Sequence, residues 1–303
     1  MSDAVTRPTL NPSMVPEQGR RIVHKTRGQG HGPIVRLMSP GDLGEVVKPF
    51  VFLDLIDADM RLLQNSIQIH PHSGIATVTV FHTGDVRFDD PKDGQGHLDY
   101  GSVEWMRASG GVWHGKEIGA GHSPRVKGFQ LWVALPPELE NAAPESQYIE
   151  AKDMVQTGPA HVIVGDYDGV RSPVRAPDGF NYLLVTLKPG ETWTYTPPMG
   201  HTIAWLAVGQ GELVASAPVW AGEMAIFEEG GGEITLTGDG ASDAIFVLGS
   251  AAPHAHPLHL GRYSVHTNAD ALIQGESRIA ALYRDLVAAG DRQTQSGTTP
   301  VFR

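Results

Sequence analysis

No cysteine occurs among the 303 residues. Disulfides, thiolate metal sites and cysteine nucleophiles are thereby excluded, and any bound metal has to be held by histidine and carboxylate. Positive charge is scarce as well: 23 Lys and Arg against 34 Asp and Glu leave a formal charge of −11. That balance opposes direct binding to nucleic acid or to an anionic membrane surface. No apolar run approaches membrane-spanning length, and MSDAVTRPTLNPSMVPEQG at the N-terminus has no apolar core of the kind a secretory signal carries. The expectation is a cytoplasmic, monomeric protein without a membrane or nucleic-acid partner.

What is abundant is punctuation. Thirty-six Gly and 22 Pro separate short runs of period two, among them PFVFLDL, IATVTVFHTG, VEWMR, GFQLWVAL, NYLLVTL, TIAWLAV and AIFVLG. Lengths of four to eight residues and strict alternation predict an all-β chain of sandwich or barrel type. One segment reads as a helix: TNADALIQGESRIAALYRDLVAAG puts Leu272, Ile279, Leu282, Tyr283 and Leu286 on one face behind an Asn268 N-cap, with Gly275 as a weak point. The expected organisation is an arm at 1–19, a first barrel at 20–140, a connector at 141–160, a second barrel at 161–252, and a connector with the helix at 253–303.

The two barrels are expected because the sequence repeats itself. IATVTVFHTGDV (75–86) matches TIAWLAVGQGEL (202–213), and GSVEWMRASGGVWH (101–114) matches GEMAIFEEGGGEIT (222–235), with a loop six residues shorter in the second copy. The chemistry does not repeat. In IQIHPH the proline favours an extended backbone, which turns His70 and His72 to the same side. His114 follows a Gly-Gly turn and a short apolar strand, and Glu117 comes three residues later. Imidazoles and a carboxylate with open positions suit a divalent first-row metal. The competing reading is that these are packing or surface histidines, since the chain has 14. Aligning the copies places Pro197, Met199 and Thr235 opposite His70, His72 and His114. The histidines are lost together while the apolar framework stays, as ligands would be.

HPHSG (70–74), VEWMRASGGVWH (103–114), PFVFLDL (49–55), GFQLWVALP (128–136) and the closing RYSVHTN segment with its helix resemble the pirin family of bicupins. The resemblance implies two cupin barrels, of double-stranded β-helix or jelly-roll type, with a C-terminal helix. It also implies one mononuclear metal in the N-terminal barrel, iron(II) in most members, with Mn, Ni, Co and Zn as substitutes. By the same resemblance the ligands are His70, His72, His114 and a glutamate. The family places that glutamate two residues after the third histidine, where this chain has Lys116; Glu117 lies one further on. Either a bulge across Gly115-Lys116 turns Glu117 inward, or strict alternation points it away. Ala76 is a second departure, where many relatives carry a glutamate. The implied activity is dioxygenase opening of quercetin-type flavonols, with Glu117 as metal ligand and catalytic base. The alternative is a metal-dependent regulator that binds a transcription factor or a metabolic enzyme. The partner is accordingly a small aromatic substrate or a protein. His82 and His97 read as surface residues, and HAHPLH (254–259) as a connector.

Overall fold

The computed structural model describes residues 19–60, 69–90, 92–115 and 117–288. Residues 1–18, on which the expected arm falls, lie outside that set, as do Ile67 and Lys116. Two seven-stranded antiparallel sheets organise the chain. The first runs, edge to edge, Glu145–Ile149, Val103–Arg107, Ile75–Thr83, Arg125–Ala134, Phe50–Asp59, Ile34–Met38 and Gln29–His31. The second runs Ile22–Thr26, Met224–Phe227, Ile203–Gln210, Ala244–Ala251, Phe180–Leu187, Ala160–Val164 and Gln156–Thr157. The two orders correspond strand for strand, so the repeat in the sequence is a repeat of topology.

The outermost strand of each sheet is exchanged. Ile22–Thr26 precedes the first unit in the chain but pairs with Met224–Phe227 of the second sheet. Glu145–Ile149 precedes the second unit and pairs with Val103–Arg107 of the first. Residue 22 thus belongs to the second sheet and not to the expected first barrel, and the expected connector at 141–160 contains a strand of the first. ESQYI alternates like a strand, but the Pro- and Ala-rich residues around it conceal the period.

Smaller sheets cover the inner face of each large one. In the first unit these are Ile118–Ala120, Val86–Asp90 and Gly94–Leu98, together with a ribbon of His70–His72 against Val112–His114. Val86, Phe88 and Leu98 pack on Ala58, Phe81 and Val126, while Val112 packs with Val51, Ile75, Met106 and Trp132. In the second unit Thr192–Tyr195, Ile234–Asp239, Glu212–Val214 and Pro218–Trp220 close over Leu183, Leu206, Phe246 and Leu248.

The outer faces of the two large sheets form one shared core. Ala76, Val78, Val80, Trp105, Phe129 and Leu131 from the first meet Tyr182, Leu184, Trp205 and Val247 from the second. Phe50 stands edge-on to Phe180 at 5.8 Å and to Trp205 at 5.4 Å, the offset geometry that aromatic quadrupoles favour. Period two does the rest. In Ile75–Thr83 the residues Ala76, Val78 and Val80 enter this shared core, so Thr77 and Thr79 point into the first barrel.

The helix forms where the sequence places it, at Ala269–Ala288, and Asn268 Oδ1 caps it by accepting from Ala271 N at 2.9 Å. It lies against the ribbon. Trp113 donates from Nε1 to Ile279 O at 3.0 Å and stacks on Tyr283 at 5.0 Å. No helix among the described residues is long and apolar enough to cross a membrane.

Candidate metal centre

The ribbon pairs Val112 with His72, Trp113 with Pro71 and His114 with His70. Pro71 has no N–H to donate and is tolerated because the ribbon has only two strands. His70 and His114 are therefore direct cross-strand neighbours, and His72 shares their face two residues on. The ring centroids lie 4.5 Å apart for His70 and His114, 4.9 Å for His70 and His72, and 5.0 Å for His72 and His114. One donor atom from each of the three lies within 4.8 Å of the others.

Each of two rings is oriented from behind. His72 Nδ1 donates to the carbonyl of Tyr263 at 3.2 Å, which leaves the lone pair of Nε2 facing the other rings. His114 Nδ1 donates to Glu117 Oε1 at 2.8 Å. The Nε2 atoms of His72 and His114 are both buried and have no hydrogen-bonding partner among the described residues. Burial, and then the neighbouring His114 and His70, hold His72 well below the usual imidazole range, so it is neutral.

Glu117 is turned inward. Its side chain is buried, and Oε2 accepts from Gly115 N at 2.9 Å. The sharp turn rests on Gly115, whose φ of +125° is open to glycine and strained for other residues. The side chain is thus inside the fold, but on His114 Nδ1 and not in the donor group that His70, His72 and His114 form, so the expected place of Glu117 among the ligands is corrected to one behind His114. Burial works against ionising Glu117, but His114 outweighs it and takes the carboxyl down to about 2. Burial likewise opposes the charged form of His114, and the Glu117 carboxylate raises that imidazole regardless.

A second carboxylate was not anticipated. Glu104, His114 and Glu117 also bring one donor atom each within 4.8 Å. Glu104 sits in VEWMR between Val103 and Trp105, both of which face the shared core, so alternation sends it inside. An acid flanked by Val103 and Trp105 in a strand is the signal the sequence offers. Burial, reinforced by the charge of Glu117, raises it to about 7. Directly across the ladder are Tyr148 on one side and Thr79 on the other. Thr79 in turn faces Gln130, Gln130 faces Asp54, and Asp54 faces Arg36, with which it forms an ion pair. A polar row thus crosses six strands of the inner face beside the histidines.

The matching row of the second sheet is Ala225, Leu206, Leu248, Leu183 and Val162, all buried. Ladder register also corrects the sequence alignment of the two copies. Tyr195 faces Ile234 and Trp193 faces Leu236 on the inner side, where His72 faces Val112 and His70 faces His114. Trp193, Tyr195 and Leu236 therefore replace the three histidines, rather than Pro197, Met199 and Thr235.

Other histidines separate from the centre. His82 is buried between the sheets beside Phe129 and Gly209, not on the surface as its sequence context suggests. His97 joins Asp85 and His122 at the small sheet. His254 and His256 stand edge to face at 5.5 Å near Lys48 and belong to no metal-competent group among the described residues.

Comparison with known proteins accords with this arrangement. The family model described as Pirin matches residues 34–133. A pirin-like protein of Arabidopsis thaliana is 30% identical over 63% of either chain, so this chain spans under two thirds of its length. A Pseudomonas aeruginosa protein whose name carries a provisional quercetin 2,3-dioxygenase assignment is 31% identical over 62% of this chain and 71% of its own. Among solved structures, a quercetin 2,3-dioxygenase of Acinetobacter baumannii superposes with a TM-score of 0.73 at 23% identity, over 91% of this chain and 99% of that one. The nickel(II) complex of the Escherichia coli pirin YhhW gives 0.55 at 18% identity, over 78% and 96%. At those identities the two structures establish a shared cupin fold. With the family model and the Pseudomonas relative added, the chain belongs to the pirin family.

Proposed function

We propose that His70, His72 and His114 hold one divalent first-row cation, with Glu117 bonded to His114 Nδ1 as the carboxylate that orients that ligand. The first barrel uses the cation, with dioxygen as oxidant, to oxidise a small aromatic substrate of the quercetin type. The observation that carries the reading is the pair of buried Nε2 atoms, on His72 and His114, that converge with His70 and meet no partner among the described residues. Leaving such atoms unsatisfied costs about 1–3 kcal/mol each, and a cation would satisfy both. A donor set of three imidazoles, with open positions left for water or substrate, fits that class of ion. Iron(II) is our choice, with nickel, manganese, cobalt and zinc as competitors; nickel is the ion held by the Escherichia coli relative.

Bound there, the cation would supply Lewis acidity toward a substrate oxygen. The protein's own part is positional. Tyr263 O fixes the tautomer of His72, and Glu117 does the same for His114. Glu104 stands beside them, cross-strand from Tyr148, where it can exchange a proton with a substrate hydroxyl. This modifies the role expected of Glu117, whose tight pairing with His114 Nδ1 makes it a positioning group and a poor base. A small-molecule substrate is favoured over a protein partner because the donors point into the barrel and not out of it.

The test is oxygen uptake, with loss of flavonol absorbance, by protein loaded anaerobically with each metal in turn. Glu104→Gln should keep the metal and lose at least tenfold in turnover. Absence of uptake with all of iron, manganese, cobalt and nickel would remove quercetin-type flavonols as substrates.

A further inference from the structure

Asp85, His97 and His122 form a second group of metal-competent side chains, separate from the barrel centre. Asp85 Oδ2 lies 3.2 Å from His97 Nδ1 and 3.1 Å from His122 Nδ1, and one donor from each of the three falls within 4.8 Å of the others. Three donors bound at about 2.0–2.1 Å to one tetrahedral cation stand about 3.3 Å apart, close to what is found here.

The carboxylate does not depend on the rings for its position. Backbone amides of His122 and Ser123 donate to Oδ2 and Oδ1, each at 2.8 Å. Gly121 permits the approach, since a Cβ there would come within 2.2 Å of Asp85 Oδ2. Each imidazole can therefore exchange its Nδ1 proton for a cation while the acid stays in place. His122 is 84% exposed and His97 is 42% exposed in their side chains, so open coordination positions would face solvent.

Position in the fold gives the group a role. Asp85 immediately precedes Val86–Asp90, His97 lies within Gly94–Leu98, and His122 follows Ile118–Ala120. Those are the three strands of the small sheet. One ion would fasten all three at the end opposite Glu117, which immediately precedes Ile118–Ala120.

We propose that Asp85, His97 and His122 constitute a second, solvent-facing site for a divalent cation of the zinc class, which clamps the small sheet. Two imidazoles and one carboxylate select zinc, nickel or copper over magnesium or calcium, which take oxygen ligands. The experiment titrates the full chain with zinc chloride and counts ions bound. Wild type should bind two, His70→Ala/His72→Ala should keep the one at Asp85, and His97→Gln/His122→Ala should bind that ion at least tenfold more weakly. The last two residues are surface groups of the described fold, so circular dichroism of that variant should match wild type. Anomalous scattering at the zinc edge should place a peak among Asp85, His97 and His122 whatever the state of the barrel. No peak there, or unchanged second-site affinity in His97→Gln/His122→Ala, would overturn the proposal.

Discussion

Gly275→Ala reverses the usual sign of its substitution type. Gly275 is in the interior of Ala269–Ala288, where alanine is better than glycine by about 1 kcal/mol on propensity alone. Here a Cβ would come within 2.6 Å of both His266 Nε2 and Ser73 Oγ. Neither can retreat. Ser73 Oγ bonds to His266 Nε2 at 2.9 Å, His266 Nδ1 lies 3.2 Å from Glu140 Oε2, and all three residues are buried. Forcing an atom into a packed interior costs about 1–3 kcal/mol, and losing the Ser73–His266 bond adds about 1 kcal/mol. After the propensity gain, a net loss of about 1–3 kcal/mol is expected. Urea denaturation of metal-free protein measures it, with Ser277→Ala, at an exposed position of the same helix, as the control. The strap from Gly261 to Thr267 also carries the Tyr263 carbonyl that orients His72, so metal affinity should fall with stability. If Gly275→Ala were as stable as wild type, or more so, the packing argument would be refuted.

Two further outcomes follow from buried groups. His82 is lowered to about 4, chiefly by burial and then by Lys127. Its neutral form is favoured in the folded state, so the stabilisation is whole above pH 6.5 and is lost as pH falls from there toward 4. The loss amounts to about 3 kcal/mol, and denaturation curves of His82→Gln at about pH 7 and pH 4 should show a shallower decline than wild type. Glu140→Ala strips the acceptor from Thr267 N and Thr267 Oγ1, each bonded at 2.7 Å. A thermal melt should register a loss of about 3–5 kcal/mol, and Glu140→Gln, which keeps an acceptor, should lose less; equal melts for the two would disprove it.

Much of this was legible in the chain. Alternation set out both sheets, the HPH spacing put two imidazoles on one face, and the internal repeat announced which barrel lacked them. What could not be read were relations between distant segments. Nothing local says that Ile22–Thr26 completes the far sheet, because an edge strand shows the same period whichever neighbour it joins. Glu117 depended on the backbone angle at Gly115, which composition leaves free. Glu104 was hidden by its apolar surroundings, although those surroundings are what drive it inward. His82 misled because HTGD resembles a turn, whereas its ring lies beneath Gly209 of the other unit.

The two barrels share a topology and differ in one row of side chains, and that difference explains how they depend on each other. Leu206, Leu248, Leu183 and Val162 fill the second barrel, leaving no donors for an ion and no polar group to offset burying its charge among the described residues of that row. A barrel filled this way is a rigid body against which the first can be built. Trp205 and Tyr182, on its outer face, pack in the same core as Trp105 and Val103, the neighbours of Glu104. Alternation then leaves Glu104 a single direction, into the first barrel with Thr79 and Tyr148 across from it. Hydrocarbon packing between the sheets thus determines where a carboxylate points on the other side of the strand. The second copy is therefore part of the site's construction, even though none of its residues is among the proposed ligands.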